Sequence, residues 1–152
     1  MVEVGDAAPE FELQTDAGET IRLADLRGRR VVLFVYPKDD TSGCTKEACG
    51  FRDLGAEYER AGIVVLGMSP DGVDSHARFR DKYDLSFPLL ADPDHRTAEA
   101  YGTWGPKKLY GREYEGIHRT TFVIDPDGRI ERVYRKVKPD GHAAAVLEDL
   151  AR

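Results

Sequence analysis

Short apolar runs alternate along this chain with amphipathic stretches, and their spacing predicts alternating strands and helices. Phe11-Glu12-Leu13 and Ile21-Arg22-Leu23 alternate apolar and polar side chains. Asp16-Ala17-Gly18 between them supplies a turn, so the start reads as a β-hairpin. Val31 to Tyr36 is unbroken, apolar and rich in β-branched residues, the pattern of a central strand covered on both faces; Pro37 ends it. From about Cys44 to Ala61 the period changes. Ala48, Phe51, Leu54 and Tyr58 recur at helical spacing and form one stripe, which Gly62 stops. Ile63 to Met68 is a second buried strand. A shorter helix is expected after Asp74 or Ser75 as N-cap, with Phe79 and Tyr83 turned inward. Phe87 to Leu90 reads as a short strand, and His95 to Tyr101 as a short helix after the Asp92-Pro93-Asp94 turn. Thr121 to Ile124 and Ile130 to Val137 form a hairpin around Asp125-Pro126-Asp127-Gly128. A last helix starts near Gly141, with Val146, Leu147 and Leu150 apolar.

Alternating β and α elements imply parallel strands, and the late hairpin adds antiparallel ones. The expected fold is an α/β sandwich of the thioredoxin-like type, a mixed central sheet flanked by helices with an N-terminal β-hairpin. No repeat, low-complexity tract or linker interrupts the 152 residues, so a single domain is expected over residues 1–152. The net charge of −6 gives no attraction for a phosphate backbone or an anionic membrane, so neither nucleic acid nor membrane is an expected partner. The longest apolar run is too short to span a bilayer, and Met1 to Asp6 does not resemble a signal peptide; the expected location is the cytoplasm. Only two cysteines occur, Cys44 and Cys49. In a reducing compartment such a pair is catalytic or redox-sensing more often than structural.

The position of Cys44 has a chemical consequence. It follows a central strand and a polar, glycine-containing loop, and it falls in the first turn of the expected helix. Loops at the carboxyl ends of parallel strands are where open α/β sheets place their chemistry. A helix N-terminus presents unpaired N–H groups and partial positive charge, which favour a thiolate over a thiol. From position alone, a small buried cysteine at a helix start reads the same way.

The residues from Pro37 to Cys49 resolve that ambiguity by resemblance. Pro37, Thr41 and Cys44 form the P-x-x-x-T-x-x-C signature of the peroxiredoxins. The C-x4-C spacing of Cys44 and Cys49 resembles the bacterioferritin-comigratory-protein subfamily, also called peroxiredoxin Q. Ala91-Asp92-Pro93-Asp94, Tyr101-Gly102, Trp104-Gly105 through Tyr110-Gly111, and Arg119 to Asp125 resemble it in the same order, so the likeness covers nearly the whole chain. The resemblance implies a cofactor-free thiol peroxidase. Cys44 would attack hydrogen peroxide or an organic hydroperoxide, and Cys49 would close a disulfide with the resulting sulfenic acid. Thr41 would hold the peroxide, Pro37 would shield the site, Arg119 would set a permanent charge beside the sulfur, and Glu47 would orient Arg119. Thioredoxin or another dithiol protein would reduce the disulfide. The lack of an extended C-terminal arm points to a monomer, as in much of that subfamily. One departure is Ser42, which stands where the subfamily usually has proline; it is read as the helix N-cap.

Other chemistry finds less support. His76, His95, His118 and His142 are scattered, with no metal-ligand spacing, and no phosphate-binding glycine motif is present. The stretch from Gly102 to Gly116, with Trp104, Tyr110 and Tyr114, reads as a loop over the active site. A protein dithiol–disulfide oxidoreductase would share the fold but is expected to carry C-x-x-C, which is missing. A non-enzymatic redox sensor would carry the same residues as the peroxidase.

Overall fold

A computed structural model describes residues 1–151. Strands β1 (Glu12–Gln14) and β2 (Thr20–Arg22) pair antiparallel with Leu13 opposite Ile21, forming the expected opening hairpin. The apolar run becomes β3 (Arg30–Val35), and helices α1 (Ser42–Asp53) and α2 (Gly55–Arg60) lead to β4 (Ile63–Ser69). Then come α3 (Val73–Tyr83), β5 (Leu89–Ala91) and α4 (Arg96–Tyr101). A second hairpin, β6 (Trp104–Leu109) and β7 (Arg112–Ile117), precedes β8 (Thr120–Ile124), β9 (Ile130–Tyr134) and α5 (His142–Leu150).

The central sheet has the order β5-β4-β3-β8-β9. β3, β4 and β5 run parallel, and β8 and β9 are antiparallel additions, so the sheet is mixed and β3 lies at its centre. Strand periodicity then divides the core. Val32, Phe34 and Tyr36 pack with Ala48, Phe51, Tyr58, Phe79 and Val146 on one face. Val31, Leu33 and Val35 pack with Leu66, Tyr101, Phe122 and Ile130 on the other. Both faces of β3 are covered, which is why it reads as a continuous apolar run. This is the thioredoxin-like arrangement.

Several boundaries differ from the sequence reading, among them strand β9, expected to run to Val137, which ends at Tyr134. The helix expected from Cys44 to Ala61 breaks at Leu54, whose φ of −103° and ψ of 14° leave the helical ladder. Gly55 follows, at a place where a Cβ would sit 2.8 Å from the Ser86 hydroxyl, so a larger residue there would oblige the Ser86 side chain to turn away. The apolar stripe survives the break because Phe51 and Tyr58 are both buried. Helix α3 begins at Val73 with Gly72 as N-cap, ahead of Asp74 and Ser75. The Ser75 hydroxyl donates to Asp39 across the fold and caps nothing. Strand β5 starts at Leu89, later than Phe87. Finally, the stretch expected to be a loop is the β6–β7 hairpin, reversing at Tyr110-Gly111, where both residues adopt positive φ (52° and 77°) as a tight hairpin turn requires.

Candidate active site

The segment after β3 is held from below by buried polar groups. Asp39 Oδ1 accepts the Tyr36 hydroxyl at 2.6 Å, and its Oδ2 accepts Ser75 Oγ at 2.8 Å and meets His76 Nδ1 at 2.7 Å. His76 Nε2 lies 2.8 Å from the Leu90 carbonyl, which only accepts, so Nε2 carries a hydrogen. The Asp39–His76 contact therefore holds a further proton between two buried groups. The Asp39 N–H donates to Asp71 Oδ2 at 2.7 Å, and Ser69 Oγ donates to the same oxygen. Asp39, Asp71 and His76 present ligand-type atoms within 4.8 Å of one another, a grouping that sequence spacing does not reveal. Here these atoms are engaged in hydrogen bonds that brace the loop against α3. Asp40, with φ of 55°, adds a second tie by accepting from Lys82 Nζ and the Tyr83 hydroxyl.

The brace fixes where α1 begins. Thr41 is its N-cap residue, in extended conformation, and its hydroxyl donates to the Lys38 carbonyl at 2.8 Å. The reading of Ser42 as N-cap is thus corrected: Ser42 is the first helical residue. That is the position where proline fits best, since its φ is preset and the N–H it lacks has no helical acceptor. Serine there keeps the geometry and gives up the rigidity. The first helical hydrogen bond runs from Thr45 N–H to the Thr41 carbonyl, so the N–H groups of residues 42–44 precede the ladder.

Cys44 sits in this first turn, with 1% of its surface exposed. Arg119, between β7 and β8, donates from Nη2 to Cys44 Sγ at 3.1 Å and from Nη1 to Glu47 Oε1 at 2.7 Å. One guanidinium therefore bridges sulfur and carboxylate, the fork geometry lysine lacks. Gly43 lets it approach, because a Cβ there would lie 3.2 Å from Nη2. The Glu47 side chain is fully buried, and burial pushes its carboxyl up to about 7 against the opposing pull of Arg119. Pro37 is half-buried directly after the β3–Tyr36 run. Thr41 and Cys49 share the wall of a surface cavity of about 410 Å³; Cys49 is half-buried, and both cysteines are free. His118 bonds the Pro106 carbonyl and ties the β6–β7 hairpin to its own strand end.

Two residues join this site that sequence reasoning gave no role. Lys107 donates to the Ile117 carbonyl at 2.7 Å; burial and then Arg119 push its ammonium down, while Cys44 pulls it up, so it lies in the field of both. His142, at the start of α5, stands 4.0 Å from Glu47 Oε2. Lys107 looked like one of several basic residues in a loop, and His142 is far from Cys44 in sequence. The whole arrangement suits one kind of step: a sulfur anion reacts beside donors that also meet the negative charge appearing on a leaving oxygen.

Glu47 also makes stability depend on pH. Its carboxyl holds a proton up to about 7 in the folded chain and only to about 4.5 when unfolded. Between those values the folded state binds more protons, so stability falls as pH rises through the window and stays lower above it. Glu47→Gln removes that loss. The variant should gain on the order of 3 kcal/mol relative to the parent between pH 4.5 and 8. Urea unfolding at both pH values measures it, and an equal pH dependence in the two proteins would contradict the assignment.

Known proteins share this framework. The family model described as AhpC/TSA matches residues 4–133. The putative peroxiredoxin bcp of Coxiella burnetii is 53% identical over 146 residues, covering 96% of this chain and 97% of that protein. Peroxiredoxin Bcp of Bacillus subtilis is 46% identical, covering 98% and 95%. Among solved structures, the Xanthomonas campestris bacterioferritin comigratory protein superposes with a TM-score of 0.92 at 36% identity, covering 98% of each chain. It was studied as trapped intermediate and ligand complexes for its alkyl peroxide reduction activity. Peroxidoxin BcpB of Mycobacterium tuberculosis gives a TM-score of 0.88 at 37% identity, covering 99% and 97%.

Proposed function

The chain belongs to the AhpC/TSA family and is a thiol-dependent peroxidase, and from that premise we propose that Cys44 is the sulfur that attacks the peroxide. The observation that carries this reading is the 3.1 Å contact from Arg119 Nη2 to a sulfur buried at a helix N-terminus. The thiolate takes the terminal oxygen of R–O–OH as the O–O bond breaks. Cys44 becomes a sulfenic acid, and the alkoxide or hydroxide leaves and is protonated by solvent. Arg119 and the N–H groups at the start of α1 meet the charge on the departing oxygen. The Thr41 hydroxyl has its hydrogen on the Lys38 carbonyl, so its lone pairs accept the peroxide O–H and orient it. Pro37 shields the sulfur from water, and Glu47 fixes the guanidinium.

Cys49 then condenses with the sulfenic acid, giving a Cys44–Cys49 disulfide and water. A dithiol protein reduces the bond by exchange and is itself oxidised to a disulfide. Resemblance to the bacterioferritin-comigratory subfamily supports thioredoxin as that reductant and a monomer in the cytoplasm as the working form. NADPH oxidation coupled through thioredoxin and its reductase, with hydrogen peroxide and an alkyl hydroperoxide, tests the cycle. Sustained turnover supports it. Fast single oxidation with no turnover would favour a redox sensor instead, and insulin reduction without peroxide consumption would favour a protein oxidoreductase.

Arg119→Ala should slow the peroxide step about tenfold or more and leave the fold intact, since a fixed charge is lost where negative charge develops. Stopped-flow oxidation measures the second-order rate. An unchanged rate would make the Arg119 contact structural only.

A further inference from the structure

Glu47 is anchored on one side only. Oε1 accepts from Arg119, while Oε2 is buried without a hydrogen-bond partner, which among the described residues is otherwise true only of His95 Nδ1. An unpaired buried carboxyl oxygen is costly to keep, and such groups call for an explanation. Oε2 is turned toward His142, whose Nε2 lies 4.0 Å away and 2.8 Å from Thr121 Oγ1. His142 is nine-tenths buried, with its ring edge-on to Phe51 and to Tyr134.

We propose that His142 is a positioning residue for the peroxidatic centre: it closes the open side of the Glu47 carboxyl, and through Glu47 it sets how firmly Arg119 holds the sulfur. This rests on the reading of Cys44 and Arg119 given above. The chemistry follows from what imidazole alone offers. Nε2 has a single hydrogen or a single lone pair, which the Thr121 hydroxyl engages at 2.8 Å; a small turn of the ring from Thr121 toward Oε2 lets it donate to an ionised carboxylate in one tautomer or accept from a protonated acid in the other. Glu47 can therefore change its proton count without exchanging partners. Burial, and second to it Arg119, push His142 down to about 4, which keeps the ring neutral near neutral pH and leaves both tautomers open.

The charged and titratable groups around this pair are few. Cys44 shares α1 with Glu47, and Arg119 bridges them from the β7–β8 turn. Lys107 approaches from β6. Tyr134, on β9, gives its hydroxyl to Asp149, and Tyr58, on α2, gives its own to the Ala143 carbonyl. Lys46 and Asp140 form an exposed pair just before α5. Of these, Arg119 is the group that hydrogen-bonds the Glu47 carboxyl, and it does so at Oε1, which leaves Oε2 to His142.

A double-mutant cycle tests this. In the parent, the rate of Cys44 oxidation plotted against pH should carry an inflection from Glu47, and Glu47→Gln should erase it. His142→Leu leaves Oε2 facing hydrocarbon, which penalises the ionised form. The inflection should then move up by about one pH unit, and the rate at pH 7 should fall about fivefold. His142→Gln, which keeps a polar atom near the Nε2 position, should restore most of the parent profile. In the Glu47→Gln background, His142→Leu should change the rate little. A purely structural role predicts something different: the same rate loss in both backgrounds, no shift of the inflection and no rescue by glutamine. That result would overturn the proposal. Failure of the underlying reading is separate, because it would show as peroxide consumption surviving in Cys44→Ser.

Discussion

Cys44→Ser should abolish peroxide consumption, lowering it by roughly three powers of ten or more, the scale seen when an activated nucleophile is removed. A serine hydroxyl is not ionised near neutral pH, and neither the helix terminus nor Arg119 supplies enough stabilisation to make it so. The substitution is a mild one structurally. It replaces a buried sulfur by a smaller oxygen at a first-turn position that suits serine, and the Arg119–Glu47 ion pair, with Nη1 at 2.7 Å from Oε1, remains to hold the guanidinium. Loss of activity with an unchanged melting temperature would thus report chemistry. Cys49 stays in place in this variant, half-buried on the cavity it shares with Thr41. If Cys44→Ser still consumed peroxide, Cys49 would be the next sulfur to test as nucleophile, and the roles assigned around Cys44 would fall.

Much of the framework was legible because burial and periodicity coincide. Val31 to Tyr36 reads as a central strand since β3 has helices over both faces, and Ala48, Phe51 and Tyr58 read as one stripe since they meet that sheet. The catalytic loop was legible through a compact motif whose members, Pro37 to Glu47, are close in sequence. What escaped depends on contacts distant in sequence. The β6–β7 hairpin stands as a two-stranded sheet of its own, so its strands show little apolar alternation, and its turn places a tyrosine at positive φ where Asn or Gly would signal a reversal. The break at Leu54 lies beside an approach of Gly55 to Ser86, a residue distant in sequence. The Asp39–His76 contact and the approach of His142 to Glu47 join residues from different elements. Neither has a local pattern, because a buried polar pair obeys only the geometry of the finished fold.

Formation of the Cys44–Cys49 disulfide should require the start of α1 to unwind. Both cysteines lie within the helix Ser42–Asp53. Five residues along an α-helix rise about 7.5 Å, and an angular offset of roughly 140° brings the Cα separation to about 8.7 Å. A disulfide tolerates at most about 7 Å between Cα atoms, and these side chains point apart. The backbone must therefore move, and the Arg119–Cys44 contact of 3.1 Å is lost as it does. Core packing limits how far the change can run. Phe51 is fully buried and stacks on Phe34 with ring centroids 4.8 Å apart, so its ring should stay seated. Each helical amide bonds the carbonyl four residues earlier, so unwinding through residue 47 strips protection from amides as far as residue 51. The serine at position 42 favours this opening, since it lacks the fixed φ of the usual proline. Hydrogen exchange should show residues 45–51 losing protection by about tenfold or more in the oxidised form, with the central strands unchanged. Cys49→Ser is the control: it cannot form the bond, and peroxide should leave its exchange pattern in place. Equal protection of this segment in both redox forms, with the Cys44–Cys49 bond verified by mass spectrometry, would rule out the unwinding.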